Sequence, residues 1–314
     1  VFSDLDGTLL DHFTYQSTPA TQTLEQLKCA NIPVILNTSK TLAELKIIHR
    51  DFKLNTPFII ENGAAIYIPI GTFKTQPKDT LTVGNYWVKS FCLPRQYWLN
   101  LLLKQANEFS EFYKGFSTIS ASTLSQVTGL TVEEAERAKQ RQYGEPLQWV
   151  GDEKNKSRFI EHLIDLGANV VQGGRFIHVG GYCDKGQALI WLTKQYQENY
   201  DDVSIFTIAL GDGENDITML EAADIAVQIR SPVHNFPKLY RQFKTTRTQH
   251  YGPEGWAEAI QVLLANQLRS NSSTTSINTE AVLLYPIQLF KGTHQSVRDL
   301  GSISVRKGCR HLDA

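Results

Sequence analysis

Two short runs of acids stand far apart in the sequence: Asp4-Leu5-Asp6-Gly7-Thr8 at its start, and Gly211-Asp212-Gly213-Glu214-Asn215-Asp216 much later. Each follows an apolar stretch of strand character, Val1-Phe2 and Ile205 to Leu210. Two such strands side by side gather negative charge at one sheet edge, where only a cation can neutralise it. Hard oxygen ligands of this kind suit Mg²⁺, so the spacing predicts a metal site and phosphate chemistry. Asp4 and Asp6 alternate in a loop leaving a strand and can approach one reacting group from different sides. One carboxylate can attack phosphorus while the other handles the leaving group's proton. Gly7 and Thr8 allow a sharp turn that offers amide donors to phosphate. Thr38, Ser39 and Lys185 supply hydroxyl and cationic partners. Alone, each Asp reads as a helix cap or turn residue, and Lys185 as a solvated lysine opening a helix. Two dense clusters at equivalent strand ends favour the site.

The elements that must hold these residues follow from the pattern. A helix is expected over Pro19 to Ala30 with Thr18 as N-cap, a strand over Pro33 to Leu36, and a helix over Thr41 to Arg50. A third strand, Phe58-Ile59-Ile60, closes on Glu61-Asn62-Gly63, with Ala64 to Ile68 as a hairpin partner. Strand–helix–strand–helix–strand implies a doubly wound, mostly parallel α/β sheet. The alternation breaks from about Gly71 to Val179. Helices at 95–108, 131–142 and 155–166 interleave there with strands at 147–150, 169–172 and 175–179, and Gly173-Gly174 forms a hairpin turn. This reads as an inserted α+β module. The doubly wound pattern resumes with a helix over 185–198, a strand over 204–210, a helix over 216–222, a strand over 225–227 and a closing helix over 255–266. The expected organisation is core over 1–70, insertion over 71–180, core over 181–267, and a Ser/Thr/Asn-rich linker with tail over 268–314. In open α/β sheets, ligands bind beyond the carboxyl ends of the strands, where Asp4, Asp6, Thr38, Asp212 and Asp216 all fall.

With 314 residues the chain is long enough for two cores. A net charge of −1 gives no electrostatic reason to expect nucleic acid or an anionic membrane. Cys29, Cys92, Cys183 and Cys309 lack a CxxC spacing, which argues for a reducing cytoplasm rather than a disulfide or zinc scaffold. No apolar run reaches the roughly 18–20 residues that span a bilayer, and no signal segment opens the chain. It starts on Val1 rather than Met, which leaves room for residues upstream.

The residues together resemble the haloacid dehalogenase-like phosphatase superfamily, whose four motifs fall in order on Asp4-Leu5-Asp6-Gly7-Thr8, Thr38, Lys185 and Gly211 to Asp216. The insertion is similar to its C2-type cap, of the C2B variety. A narrower resemblance, to the mannosyl-3-phosphoglycerate phosphatase family, covers about residues 1–267. It rests on Thr38-Ser39-Lys40-Thr41, Thr128 to Ala135, Gln140 to Pro146, Gly174 to Val179, Asp184 to Ala188 and Gly252 to Trp256. The resemblance implies a Mg²⁺-dependent phosphatase acting on a small phosphorylated sugar acid, mannosyl- or glucosyl-3-phosphoglycerate. Asp4 would be nucleophile and Asp6 the acid and base. Asp4, Asp212 and the Asp6 carbonyl would hold Mg²⁺, supported by Asn215 and Asp216, while Thr38 and Lys185 neutralise the phosphoryl group. Ser39, Asn215 and the Glu61-Asn62-Gly63 loop would face substrate. Arg141 and Arg175 would supply guanidinium forks for its anions. A phosphatase for another sugar phosphate, such as sucrose phosphate, and a phosphosugar-binding protein remain alternatives. Oligomeric state stays open.

Overall fold

Period-two alternation in the short apolar strands sets the architecture. The computed structural model describes residues 1–172, 175–200 and 204–272, the last six as backbone only. The first part of the chain runs β1 (Phe2–Ser3), α1 (Thr21–Cys29), β2 (Ile35–Leu36), α2 (Leu42–Asp51), β3 (Phe58–Ile60), β4 (Ala65–Pro69), β5 (Leu81–Val83) and β6 (Tyr86–Ser90). The insertion holds α3 (Arg95–Gln105), β7 (Tyr113–Gly115), α4 (Ala121–Thr128), α5 (Val132–Lys139), β8 (Glu145–Trp149), α6 (Glu153–Asp165), β9 (Asn169–Gln172) and β10 (Ile177–Gly180). The chain then returns through α7 (Lys185–Asn199), β11 (Ile208–Gly211), α8 (Ile217–Ala222), β12 (Ile225–Arg230), β13 (Thr245–Tyr251) and α9 (Gly252–Ser272).

The central sheet has the order β13-β12-β11-β1-β2 and is parallel throughout. Phe2, Ile35, Ala209 and Ala226 face one side and pack with Leu189 and Leu192 of α7 and Met219 and Leu220 of α8. Their neighbours Leu36, Leu210 and Val227 face the other, against Leu27 of α1, Leu45 of α2 and Trp256 and Ile260 of α9. Helices on both faces bury β1, β2, β11 and most of β12, as parallel strands require, while the edge strand β13 stays largely exposed, and this is the doubly wound α/β core expected. β3 departs from the sequence reading. It touches the parallel sheet through a single bridge, Asn37 to Ile59, and otherwise belongs to an antiparallel sheet, β3-β4-β6-β5. Positive φ at Glu61, Asn62 and Gly63 turns the chain back on itself there, so β4 pairs with β3 as the hairpin partner expected from the sequence. β5 and β6, within the 71–180 span, pair with β4 rather than with the insertion's sheet.

The insertion folds as an α+β cap. Its antiparallel sheet, β7-β8-β10-β9, packs Leu147, Ile177 and Val179 against Trp98 and Leu102 of α3 and Phe159 and Leu163 of α6. A smaller cluster joins Leu124 of α4 and Ala135 of α5. Thr131 and Glu134 close a capping box at the start of α5, and the helix stops at Lys139, before the expected 142. Arg141 therefore lies beyond the helix. Thr18 does not cap α1: it sits in a 3₁₀ turn with Pro19, and α1 begins at Thr21. α9 runs past 266 to Ser272 because no Gly or Pro stops it. The Gly173-Gly174 turn and the tail after 272 lie outside the described residues. Among the described residues no helix is long and apolar enough to cross a membrane.

Candidate active site

Pairing of β1 between β11 and β2 brings the two acid clusters and Thr38 to one sheet edge. Asp4 donates its amide to Leu210 O at 2.9 Å, which fixes the end of β1 to the end of β11. Asp4, Asp212 and Asp216 are all buried, and one oxygen from each lies within 4.8 Å of the others. Lys185, fully buried at the first turn of α7, donates to Asp4 Oδ1 at 2.6 Å and to Asp216 Oδ1 at 2.7 Å. It is no solvated lysine. Asp216 Oδ2 accepts from the amides of Asp212 and Gly213 at 3.0 and 2.9 Å, so Asp216 orders the loop that carries Asp212. Thr8 Oγ1 donates to Asp212 Oδ1 at 2.9 Å across the two clusters. Gly7 is required here: its φ is +78°, and a Cβ would stand 2.6 Å from Asp212 Oδ2. The amides of Gly7 and Thr8, expected to face phosphate, donate instead to Leu10 O and Leu5 O. The loop closes on itself and uses them internally.

Asp6, near enough to act on Asp4, pairs with a different cation. Its Oδ2 pairs with Lys40 Nζ at 2.9 Å, while its buried Oδ1 has no hydrogen-bond partner. Thr38 is buried at the end of β2, its carbonyl accepting from Asn62 N at 2.9 Å. Asn37 Nδ2 donates to Lys185 O at 3.0 Å, tying this loop to the start of α7. Gly63 packs so closely on that helix start that a Cβ would lie 2.1 Å from Asp184 O. Asn215 Nδ2 donates to Asn62 Oδ1 at 3.1 Å, which places both beside the second cluster.

The cap reaches this edge through Glu61. Its carboxylate accepts from the amides of Gln142 (2.6 Å), Tyr143 (3.2 Å) and Gly144 (3.1 Å) and faces Arg141 Nε at 3.4 Å. Arg141 Nη2 also donates to Ser39 O at 3.3 Å. Glu61 and Arg141 thus form a clasp between core and cap. Arg175 is not brought to the site by any contact: it is exposed and donates to Val127 O and Thr128 O, capping the end of α4.

A family model described as haloacid dehalogenase-like hydrolase matches residues 1–235. The chain belongs to that family. Within it, the chain is 37% identical over 264 residues to a glucosyl-3-phosphoglycerate/mannosyl-3-phosphoglycerate phosphatase of Methanococcoides burtonii, covering 84% of this chain and 96% of that protein. A phosphatase of the same name from Persephonella marina is 32% identical over 271 residues, with 84% and 96% covered. Solved haloacid dehalogenase-like hydrolases share the fold. One from Bacteroides thetaiotaomicron gives a TM-score of 0.58 at 18% identity, covering 83% of this chain and 98% of that one. One from B. subtilis gives 0.57 at 19%, with 83% and 99% covered.

The electrostatics of this haloacid dehalogenase-like site show a deficit of positive charge. Burial, then the Asp216 charge, pushes Asp4 up to about 7, although Lys185 opposes the shift. Burial and Asp4 push Asp212 up to about 6, and burial raises Asp216 despite Lys185. Burial alone would lower Lys185, but Asp216 and Asp4 outweigh it and hold the ammonium charged. Three crowded, buried carboxylates fit a hard divalent cation such as Mg²⁺. Residues that sequence reasoning passed over also meet here. His234 Nε2 lies 3.3 Å from Asp212 Oδ2 and lines a cavity of about 410 Å³ with Arg230 and Tyr251; a lone histidine in an irregular segment gave no signal. Lys40 was visible only as part of Thr38-Ser39-Lys40-Thr41. Burial and the nearby Arg141 push His178 down to about 4, which disfavours its charged form.

Proposed function

We propose that this chain is a Mg²⁺-dependent phosphomonoesterase that hydrolyses mannosyl-3-phosphoglycerate or glucosyl-3-phosphoglycerate to glycosylglycerate and phosphate. The observation that carries the chemistry is Asp4, buried between Lys185 and the Asp212–Asp216 loop at the edge of the sheet. The substrate comes from the likeness to relatives of that name over most of both chains. Lys185 occupies Asp4 Oδ1, which leaves Oδ2 to attack phosphorus. The P–O ester bond breaks, and its electron pair leaves with the glycerate oxygen. Asp6 delivers a proton to that oxygen, then takes one from the water that hydrolyses the aspartyl phosphate. Thr38 and Lys185 face the phosphoryl oxygens. Asp4, Asp212 and the main-chain carbonyl of Asp6 would hold Mg²⁺, which when bound offsets the phosphoryl charge. Asp216 takes part through Lys185 and the loop amides.

The cap, clasped through Glu61 and Arg141, shields this chemistry from water. Ser39, Asn62, Gly63 and Asn215 line the rim in this reading, with Gly63 and Glu61 acting by position rather than by touching substrate. Phosphate release from both glycosyl-3-phosphoglycerates, with and without Mg²⁺, tests the assignment. Release from sucrose phosphate but from neither sugar acid would overturn the substrate. Silence on all three esters would leave a binding protein.

A further inference from the structure

We propose that Lys40 is the specificity residue that reads the substrate's leaving-group carboxylate, surrendering Asp6 to do so; this rests on the phosphatase reading above. In a 3-phosphoglyceryl ester, four bonds separate the ester oxygen from a carboxylate oxygen. At about 1.5 Å per bond the two oxygens lie only ~3–5 Å apart. The residue that protonates the ester oxygen must stand within about 2.6–3.2 Å of it, so the carboxylate lands beside Asp6. The cation beside Asp6 is Lys40, at 2.9 Å. Its side chain is only 14% exposed against 37% for Asp6, so the ammonium is held at the site rather than in solvent. Tyr15 covers it, with the ring centroid 5.5 Å from Nζ. The two arginines chosen from sequence are otherwise engaged: Arg141 by Glu61 and Ser39 O, Arg175 by the end of α4. An entering carboxylate competes with Asp6 for Lys40 and frees Asp6 of its counter-ion. An ester without a carboxylate leaves that pair closed.

The test uses two ligands that differ at one carbon, 3-phosphoglycerate and glycerol 3-phosphate, titrated calorimetrically with Mg²⁺ present. The protein is Asp6→Asn, which slows turnover by about 10²–10⁴-fold and removes the competing carboxylate. It is expected to bind 3-phosphoglycerate about 10- to 150-fold more tightly, the range for a hydrogen bond to a charged group. In Asp6→Asn/Lys40→Gln the preference falls to within ~3-fold, and a thermal melt and circular dichroism spectrum matching Asp6→Asn report an intact fold. In Asp6→Asn/Lys40→Arg, which keeps the charge, most of the preference remains. Equal binding of the two ligands by Asp6→Asn overturns the proposal, as does a preference that survives Lys40→Gln. Wild-type phosphate release from mannosyl-3-phosphoglycerate is measured beside it. Its absence, with the Lys40 preference intact, removes the sugar-acid assignment and leaves the carboxylate site standing.

Discussion

Replacing Lys185 by methionine isolates the electrostatics of the site from its shape, because the stem is kept and only the ammonium goes. The lysine is fully buried and bonded to two carboxylates at 2.6 and 2.7 Å. Breaking a buried pair from one side costs about 3–5 kcal/mol when the remaining charges stay ionised. For a domain of this size each kcal/mol lowers Tm by roughly 2–4 °C, so the metal-free variant should melt about 6–20 °C below wild type at pH 8. At pH 5 the outcome differs. Asp4 and Asp212 are pushed up to about 7 and about 6, so both are mostly protonated there in the fold. A native state that holds protons the unfolded chain has released loses stability as pH rises from about 4 through about 7. Without Lys185 that slope steepens, since Asp4 loses its opposing cation. The deficit at pH 5 should shrink to about 1–3 kcal/mol, the cost of unsatisfied acceptors alone. Thermal denaturation in EDTA at both pH values measures it. An equal loss at pH 5 and pH 8 would refute the claim that a charge deficit, rather than packing, makes Lys185 indispensable.

Mg²⁺ at about 100 times its Kd should stabilise metal-free wild type by about 2.7 kcal/mol at pH 8. The same addition should do far less at pH 5, where protons occupy Asp4 and Asp212; a thermal shift of equal size at both would count against this ligand set. Asp6→Asn should fold normally and lose about 10²–10⁴-fold in kcat, the worth of general acid–base catalysis. A steady-state assay showing less than a threefold loss would move that role elsewhere. Glu61→Gln weakens the acceptor of three cap amides, so hydrogen exchange at Gln142 to Gly144 should quicken by about tenfold for each 1.4 kcal/mol lost. Unchanged exchange there would remove Glu61 as the cap's clasp.

The acid clusters were legible because their signal is local: an apolar run, then acids, twice, at ends that parallel pairing must align. Lys185 became legible from its place before the second cluster, although its burial between two acids depends on helix α7 returning from the cap. Glu61 illustrates the opposite case. Nothing near it in sequence marks it as the acceptor for Gln142 to Gly144, and a turn built on Asn62-Gly63 looks the same with or without a cap above it. Arg175 looked like an anion fork because α4 was not foreseen. Ala121–Thr128 is rich in hydroxyl and β-branched residues that weaken helix propensity, yet Ser120 and Gly129 cap it and its end then captures the guanidinium. The β3–β4 hairpin was legible from Asn62-Gly63, whereas the positive φ of Glu61 that begins the turn carries no sequence signal, and β3's place in a separate antiparallel sheet was not foreseen.

Residues 38–41 make contacts both at the sheet edge and with the cap. Thr38 is fixed at the strand end, Lys40 holds Asp6, Ser39 O accepts from Arg141, and Thr41 Oγ1 donates to Arg137 O at 2.9 Å. The same short segment therefore touches Asp6 and the cap. A cap that lifts must break the Arg141 and Arg137 contacts, and Ser39 and Thr41 flank Lys40 directly in the chain. Cap closure is therefore expected to bear on the position of Lys40. On the proposed role of Lys40, a substrate that draws it off Asp6 would do so where the cap meets the core, which would tie selection of the ester to exclusion of water.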